Sequence, residues 1–126
     1  MKQIFRSNPP DVVVHLAARA GVRPSLEDPA SYSDINITGT IRILEAIRDH
    51  KIPHLVFASS SSIYGARKQG PFRESDNVDI PASAYAATKK SGELFCANFH
   101  YLYGISASCL RFFTVYGPRQ RPEMAI

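Results

Sequence analysis

The order of apolar segments predicts an α/β protein built on an open parallel sheet. Three observations carry that prediction. Strand-like and helix-like segments alternate along the chain, as strand, helix, strand, helix, strand. The first strand-like run is continuously apolar rather than alternating, as expected of a strand covered on both faces. The helical segments between the strands are long enough for the right-handed crossovers that join parallel neighbours.

Each element follows from local pattern. Asp11 to Ala18 (Asp-Val-Val-Val-His-Leu-Ala-Ala) reads as a buried strand. Asp28 to His50 carries a helical stripe of Ile35, Ile41, Ile43, Leu44 and Ile47. His54 to Ala58 is a second short apolar run, closed by the four serines Ser59 to Ser62. From Ser83, a natural N-cap, to Tyr103 the chain reads as a long helix, with Gly104 as its C-cap. Ser108 to Phe113 is the third strand. The stretch from Gly65 to Ala82 is long, polar and proline-containing, so it is expected to be an exposed loop with scope for function.

Composition narrows the class. A chain of 126 residues supports one domain, and one of this size buries roughly two-thirds of its unfolded surface. With 44% hydrophobic and 21% charged residues it is ordinary globular material, neither disordered nor fibrous. No apolar run approaches the roughly 20 residues of a membrane span, and Met1 to Pro10 lacks the apolar core of a secretory signal. The net charge of +4 comes from Lys and Arg scattered singly or in pairs, which reads as a solvated surface rather than a nucleic-acid face. Cys96 and Cys109, with no export signal, suit a reducing cytosol, so a cytoplasmic location is expected. His15, His50, His54 and His100 show no metal-ligand spacing, and no metal is expected.

In a doubly wound sheet the ligand site lies beyond the carboxyl ends of the strands. The segments to inspect are therefore Ala17 to Arg23, Ser59 to Gly65 and Thr114 to Arg121. The sharpest feature nearby is Tyr85-Ala-Ala-Thr-Lys89. Positions i and i+4 share a helix face, so a phenol and an ammonium approach one another. A positive charge beside a phenol favours the phenolate, which is a usable base. Alone the spacing is a weak signal that a surface pair also satisfies. Following a strand that ends in serines, it becomes the Ser, Tyr, Lys arrangement that removes a proton from an alcohol while hydride leaves for a nicotinamide.

At this point the chain resembles the middle of an extended short-chain dehydrogenase/reductase of the NAD-dependent epimerase/dehydratase family. The matching segments are His15-Leu16-Ala17-Ala18, Asn36-x-x-Gly39-Thr40, Ser60 to Gly65, Tyr85-x-x-x-Lys89 and Arg111-Phe-Phe-Thr-Val-Tyr-Gly-Pro118, in order and over essentially the whole chain. The resemblance implies part of a doubly wound parallel-sheet Rossmann fold, holding only its central and second-half strands and helices. It implies Ser60, Tyr85 and Lys89 as the catalytic residues. For NAD it implies Leu16, Ala17, Ala18, Ala20, Asn36, Ser59 and Phe113, together with Tyr85 and Lys89. Ordinary sheet packing for Leu16 to Ala18, and a core position for Phe113, are the competing readings.

The same resemblance implies a nucleotide-sugar substrate. Family dehydratases and decarboxylases tend to carry carboxylates just after the catalytic hydroxyl, where this chain has Ser61 and Ser62. That favours a 4-epimerase, which needs only oxidation at C4, rotation of the keto sugar and hydride return. Tyr116 to Met124 and His15 to Arg23 resemble the UDP-glucuronate 4-epimerases, which implies that Ser61, Ser62, Thr114 and Arg121, with Ser60 and Tyr85, meet the sugar and its carboxylate. A guanidinium fork matches a carboxylate well, though Arg119 is equally placed for that role and Arg121 is also readable as a solvent-facing base. A UDP-glucose 4-epimerase or a 4,6-dehydratase relative is the alternative. Tyr64 either lines the sugar pocket or packs under the long loop.

No Gly-x-x-Gly-x-x-Gly fingerprint occurs. Residues 1–126 are therefore expected to be a partial NAD-binding domain, lacking the N-terminal glycine-rich unit and the C-terminal substrate-binding region, with Met1 to Pro10 matching the loop before the family's fourth strand. On either reading these 126 residues alone are expected to be inactive; the rival reading is a truncated product, without activity or docking as a decoy on an intact subunit. Family dimers pair through the Tyr85 helix and the long helix before it, so a homodimer is expected of the complete enzyme. A half sheet leaves the first strand's edge bare, which predicts poor solubility.

Overall fold

The computed structural model describes residues 2–67 and 70–120. Three parallel strands, β1 (Val12–His15), β2 (His54–Ser60) and β3 (Ser106–Phe112), form one sheet in that spatial order. Val12 pairs with His54 and His15 with Phe57, and Ser60 pairs with Phe112 at the carboxyl end. The helices are α1 (Lys2–Ser7), α2 (Val22–Glu27), α3 (Pro29–Tyr32), α4 (Gly39–Asp49) and α5 (Ala84–Tyr103). A π-helical segment, Ser33–Thr38, joins α3 to α4, and a 3₁₀ turn, Ser61–Tyr64, follows β2.

The long helix α5 forms where its caps demand. The Ser83 hydroxyl accepts from the Ala86 amide at 3.1 Å, and Gly104 takes the left-handed conformation at φ 71° that ends a helix without strain. The core lies between one sheet face and α4 with α5, where Leu44, Ile47, Leu55, Phe57, Cys96, Phe99 and Ile105 are buried. Cys109 packs against the same cluster, so both thiols are packing residues. Gly92 lets α5 approach β2 closely: a Cβ there would sit 2.8 Å from Phe57 Cε1, and nearer still to Cζ.

Four expectations need correction. The first strand ends at His15 rather than Ala18, because the Asn36 carboxamide captures both backbone groups of Arg19 and draws the chain off the sheet. It is also not covered on both faces, since Val12 and Val14 stand exposed while His15 faces the core. The segment from Asp28 to His50 is helical but not uniformly α. The wider π turn rotates the stripe, so that Asn36 is buried and Ile35 is exposed. Finally, the first ten residues contain α1, whose Phe5 is buried with its ring edge-on to His50.

The second strand runs two residues past Ala58, through Ser60, and the third spans Ser106–Phe112. The loop after Gly65 is polar but anchored: Val78 joins Ile63 and Tyr64 in a small buried cluster. Tyr64 stacks on Phe72 at 4.9 Å, which resolves its role as packing beneath that loop. Among the described residues no helix is long and apolar enough to cross a membrane.

Candidate active site

A cavity of about 480 Å³ opens at the carboxyl ends of the three strands. It gathers Leu16, Ala18 and Ala20 after β1, Ser59 to Ser62 at the end of β2, Tyr85 and Lys89 on α5, and Phe113 with Thr114 after β3. Chain segments far apart in sequence thus converge as the motifs predict. Leu16 and Phe113 are both more than half exposed on this rim, so neither is a buried core position, although the Phe113 ring lies against those of Tyr64 and Phe72. Ala17 lines a separate depression with Ile35 and Ile43, and Asn36 lies beneath the loop rather than in the cavity. Arg121 lies outside the described residues.

Lys89 is the electrostatic centre. Its side chain is 4% exposed, and its ammonium donates to the Ala58 carbonyl at 2.7 Å. The same nitrogen stands 5.2 Å from the Phe57 ring centre and 5.9 Å from that of Tyr85. Burial pushes its pKa below the usual lysine value. The Tyr85 ring is braced edge-on by Tyr32 at 6.4 Å, and the Tyr32 hydroxyl donates to the Ala20 carbonyl at 2.8 Å. Ser60 caps the 3₁₀ turn, its hydroxyl oxygen accepting from the Ser62 amide at 3.2 Å. That turn presents Ser61 and Ser62 to the cavity.

Asn36 ties the loop after β1 to the catalytic helix. Its Oδ1 accepts from the Arg19 amide at 2.8 Å, and its Nδ2 donates to the Arg19 carbonyl and to Thr88 Oγ1, both at 3.0 Å. Thr88 in turn donates to the Tyr85 carbonyl at 2.8 Å. The Arg19 side chain completes the loop's fastening, bonding Asp28 at 2.7 Å and lying over the Tyr32 ring.

His15 lies under this network, 6% exposed. Thr40 spends its one hydroxyl proton on the Asn36 carbonyl at 2.6 Å, so its oxygen accepts from His15 Nε2 at 3.0 Å and fixes the neutral tautomer. Desolvation first, and the Lys89 charge second, hold the His15 pKa below the usual 6.5. Above 6.5 the ring is neutral folded and unfolded, and stability is at its full value. As pH falls below 6.5 the unfolded chain takes up the proton first, and stability declines until the folded pKa is passed. The slope for one proton is at most about 1.4 kcal/mol per pH unit. Urea midpoints measured from pH 7.5 downward should show this decline, and His15→Gln should flatten it; an equal slope in the variant would contradict the assignment.

Residues that motif reading missed are Gly21, Val22, Ala58 and Phe112, which also line the cavity. Gly21 had a signal, as a glycine in a strand-end loop, and it sits at φ +113°. Ala58 had none, because it acts through its carbonyl. Among the described lining residues none is Asp or Glu.

Strand-end hydroxyls that share one cavity with a half-buried tyrosine and a buried lysine in Tyr-x-x-x-Lys spacing, on an open parallel sheet, define a short-chain dehydrogenase/reductase-type protein. The chain belongs to the NAD dependent epimerase/dehydratase family, whose model matches residues 1–126. It is 53% identical over 126 residues to a UDP-glucuronate 4-epimerase of Thermodesulfobacterium geofontis, covering all of this chain and 39% of that protein. To the protein CapI of Staphylococcus aureus it is 52% identical, covering all of this chain and 38% of that one. The UDP-glucuronic acid 4-epimerase of Bacillus cereus, solved with UDP-glucuronic acid and NAD, superposes with a TM-score of 0.87 at 43% identity, over 98% of this chain and 38% of its own. The chain therefore spans less than two-fifths of the length of these relatives.

Proposed function

We infer that this chain carries the catalytic middle of an NAD-dependent nucleotide-sugar 4-epimerase that interconverts UDP-glucuronate and UDP-galacturonate. The observation that carries the reading is a cavity with Tyr85, Lys89 and Ser60 at its base, four further hydroxyl-bearing residues (Ser59, Ser61, Ser62 and Thr114) around it, and no carboxylate among its described lining residues. A dehydratase needs a carboxylate-type group to move a proton at C5, whereas a 4-epimerase does not. Hydroxyl donors in place of acids also suit a sugar that brings its own carboxylate.

The residues present fit the nicotinamide–ribose part of NAD. Ala18, Ala20 and Gly21 leave the loop backbone approachable, and the loop is already held by Asn36 and Tyr32. Leu16, Phe113, Tyr85 and Lys89 complete that wall, while the Ser59 hydroxyl is committed to Glu93 instead. Bound NAD would supply reversible two-electron acceptance for the sugar's C4. Tyr85, as phenolate, takes the proton from the C4 hydroxyl and gives it back after the sugar has turned. Lys89 stabilises the phenolate charge from its water-poor position above Phe57. Ser60 orients the C4 oxygen, and Ser61, Ser62 and Thr114 hold the uronate. The homodimer belongs to the same proposal, pairing through α4 and α5.

The test is direct. The protein, expressed from its own reading frame, is incubated with NAD and separately with UDP-glucuronate, UDP-glucose and dTDP-glucose, and products are resolved by anion-exchange chromatography. UDP-galacturonate is expected. A product from UDP-glucose alone, or a 4-keto-6-deoxy sugar, would overturn the uronate assignment.

A further inference from the structure

Glu93 lies one helical turn beyond Lys89 on α5, and together with Arg111 it forms a fork-to-fork ion pair outside the cavity just described. Arg111 Nε donates to Oε1 at 3.0 Å, and Nη2 donates to Oε2 at 2.9 Å. Both side chains are mostly buried, at 12% and 17% exposure. A third bond reaches the sheet: the Ser59 hydroxyl donates to Glu93 Oε1 at 2.6 Å. Ser59 is the ladder partner of Arg111 and the residue directly before Ser60. The remaining donor of Arg111, Nη1, bonds the Tyr64 hydroxyl at 3.3 Å and the Glu74 carbonyl at 3.0 Å. One ion pair thus fastens the ends of β2 and β3, the turn after β2 and the long loop to a single position on the helix that bears Tyr85 and Lys89.

Stability alone is a poor account of this arrangement. Desolvating two charges roughly cancels their attraction, so apolar residues would join α5 to the sheet as well. What a bidentate pair adds is direction, because its bonds are satisfied in one register only. Ala58 is held by Lys89 through its carbonyl, and Ser59 by Glu93 through its hydroxyl. Two consecutive residues are therefore pinned to the catalytic helix immediately before the chain turns at Ser60.

We propose that Glu93, oriented by Arg111 and acting through Ser59, is the positioning residue that sets the Ser60–Ser62 turn against the Tyr85–Lys89 pair. The proposal rests on the epimerase reading for its effect on rate, and on geometry alone for its effect on the turn. Ser59→Ala cuts the link while leaving the Glu93–Arg111 pair intact. Glu93→Gln keeps the shape and removes the charge. In the protein expressed from its own reading frame, Ser59→Ala should lower kcat about tenfold with KM and NAD affinity unchanged, the signature of a misplaced reacting group. Glu93→Gln should lower it at least as far, and the double variant no further, because both act through one bond. Amide hydrogen exchange at Ser62, whose N–H rests on Ser60, should quicken about tenfold in either variant.

Unchanged exchange at Ser62 overturns the proposal whatever the rates do. In an active protein, so does an unchanged kcat, or a loss of NAD affinity that tracks kcat and marks Ser59 as a direct contact. If the unaltered protein turns over no nucleotide sugar, the epimerase reading fails by itself and the exchange measurement still decides the positioning role. If Glu93→Gln does not fold, Ser59→Ala decides alone.

Discussion

Replacing Tyr85 by phenylalanine should lower kcat by about 10²- to 10⁴-fold, the range expected when a positioned acid–base group is lost. The ring itself is expected to stay in place, because its edge contact with Tyr32 and the carbonyl bond from Thr88 do not involve the hydroxyl. NAD affinity should therefore hold, as read by quenching of protein fluorescence on titration. That split separates a base from a binding contact. Equal losses of cofactor affinity and turnover would instead assign the phenol to holding the cofactor, and retained turnover would remove Tyr85 from the chemistry altogether.

The largest effect on stability is expected at Gly92. In a helix, alanine is favoured over glycine by about 1 kcal/mol, so on a free helix face a side chain would stabilise. Here the added carbon meets the Phe57 ring. That ring is 2% exposed, with His15 on one side at 5.7 Å and the Lys89 ammonium at 5.2 Å. It has no space to yield, so overpacking outweighs propensity. Gly92→Leu should cost about 3 kcal/mol or more in urea unfolding. Activity of whatever fraction folds should fall as well, because displacing Phe57 displaces Lys89. An unchanged or raised urea midpoint would show that α5 does not lie as close to β2 as described.

How far the fold was legible in the sequence depends on how local its causes are. Helix α5 was readable end to end because its caps, Ser83 and Gly104, adjoin the segment they stop. The Tyr85 and Lys89 pair was readable because four residues of helix bring them to one face. The end of β1 was not, since the bonds that pull Arg19 from the sheet come from Asn36 on another element. The π turn hid for the same reason. Its effect is to exchange Ile35 for Asn36 at the buried face, against the apolar pattern, and the compensation for burying an amide lies with Arg19 and Thr88. In the site, the cavity-lining hydroxyls were legible as a run of serines. The Ala58 carbonyl and the Glu93–Arg111 pair were not, because strand register decides which carbonyl meets Lys89 and which arginine stands beside Ser59.

The parallel ladder has a kinetic consequence. Val12 pairs with His54 and His54 with Ser106, so no strand has a neighbour close to it along the chain. Each pairing must wait for a long excursion of chain to close before any bond repays the lost entropy. Such high contact order places folding in the slow, millisecond-to-second regime. Helices α4 and α5 are the elements able to form early, and the sheet assembles upon them. Until it does, the unpaired backbone groups of the strands remain open to other chains, so refolding yield should drop steeply with protein concentration.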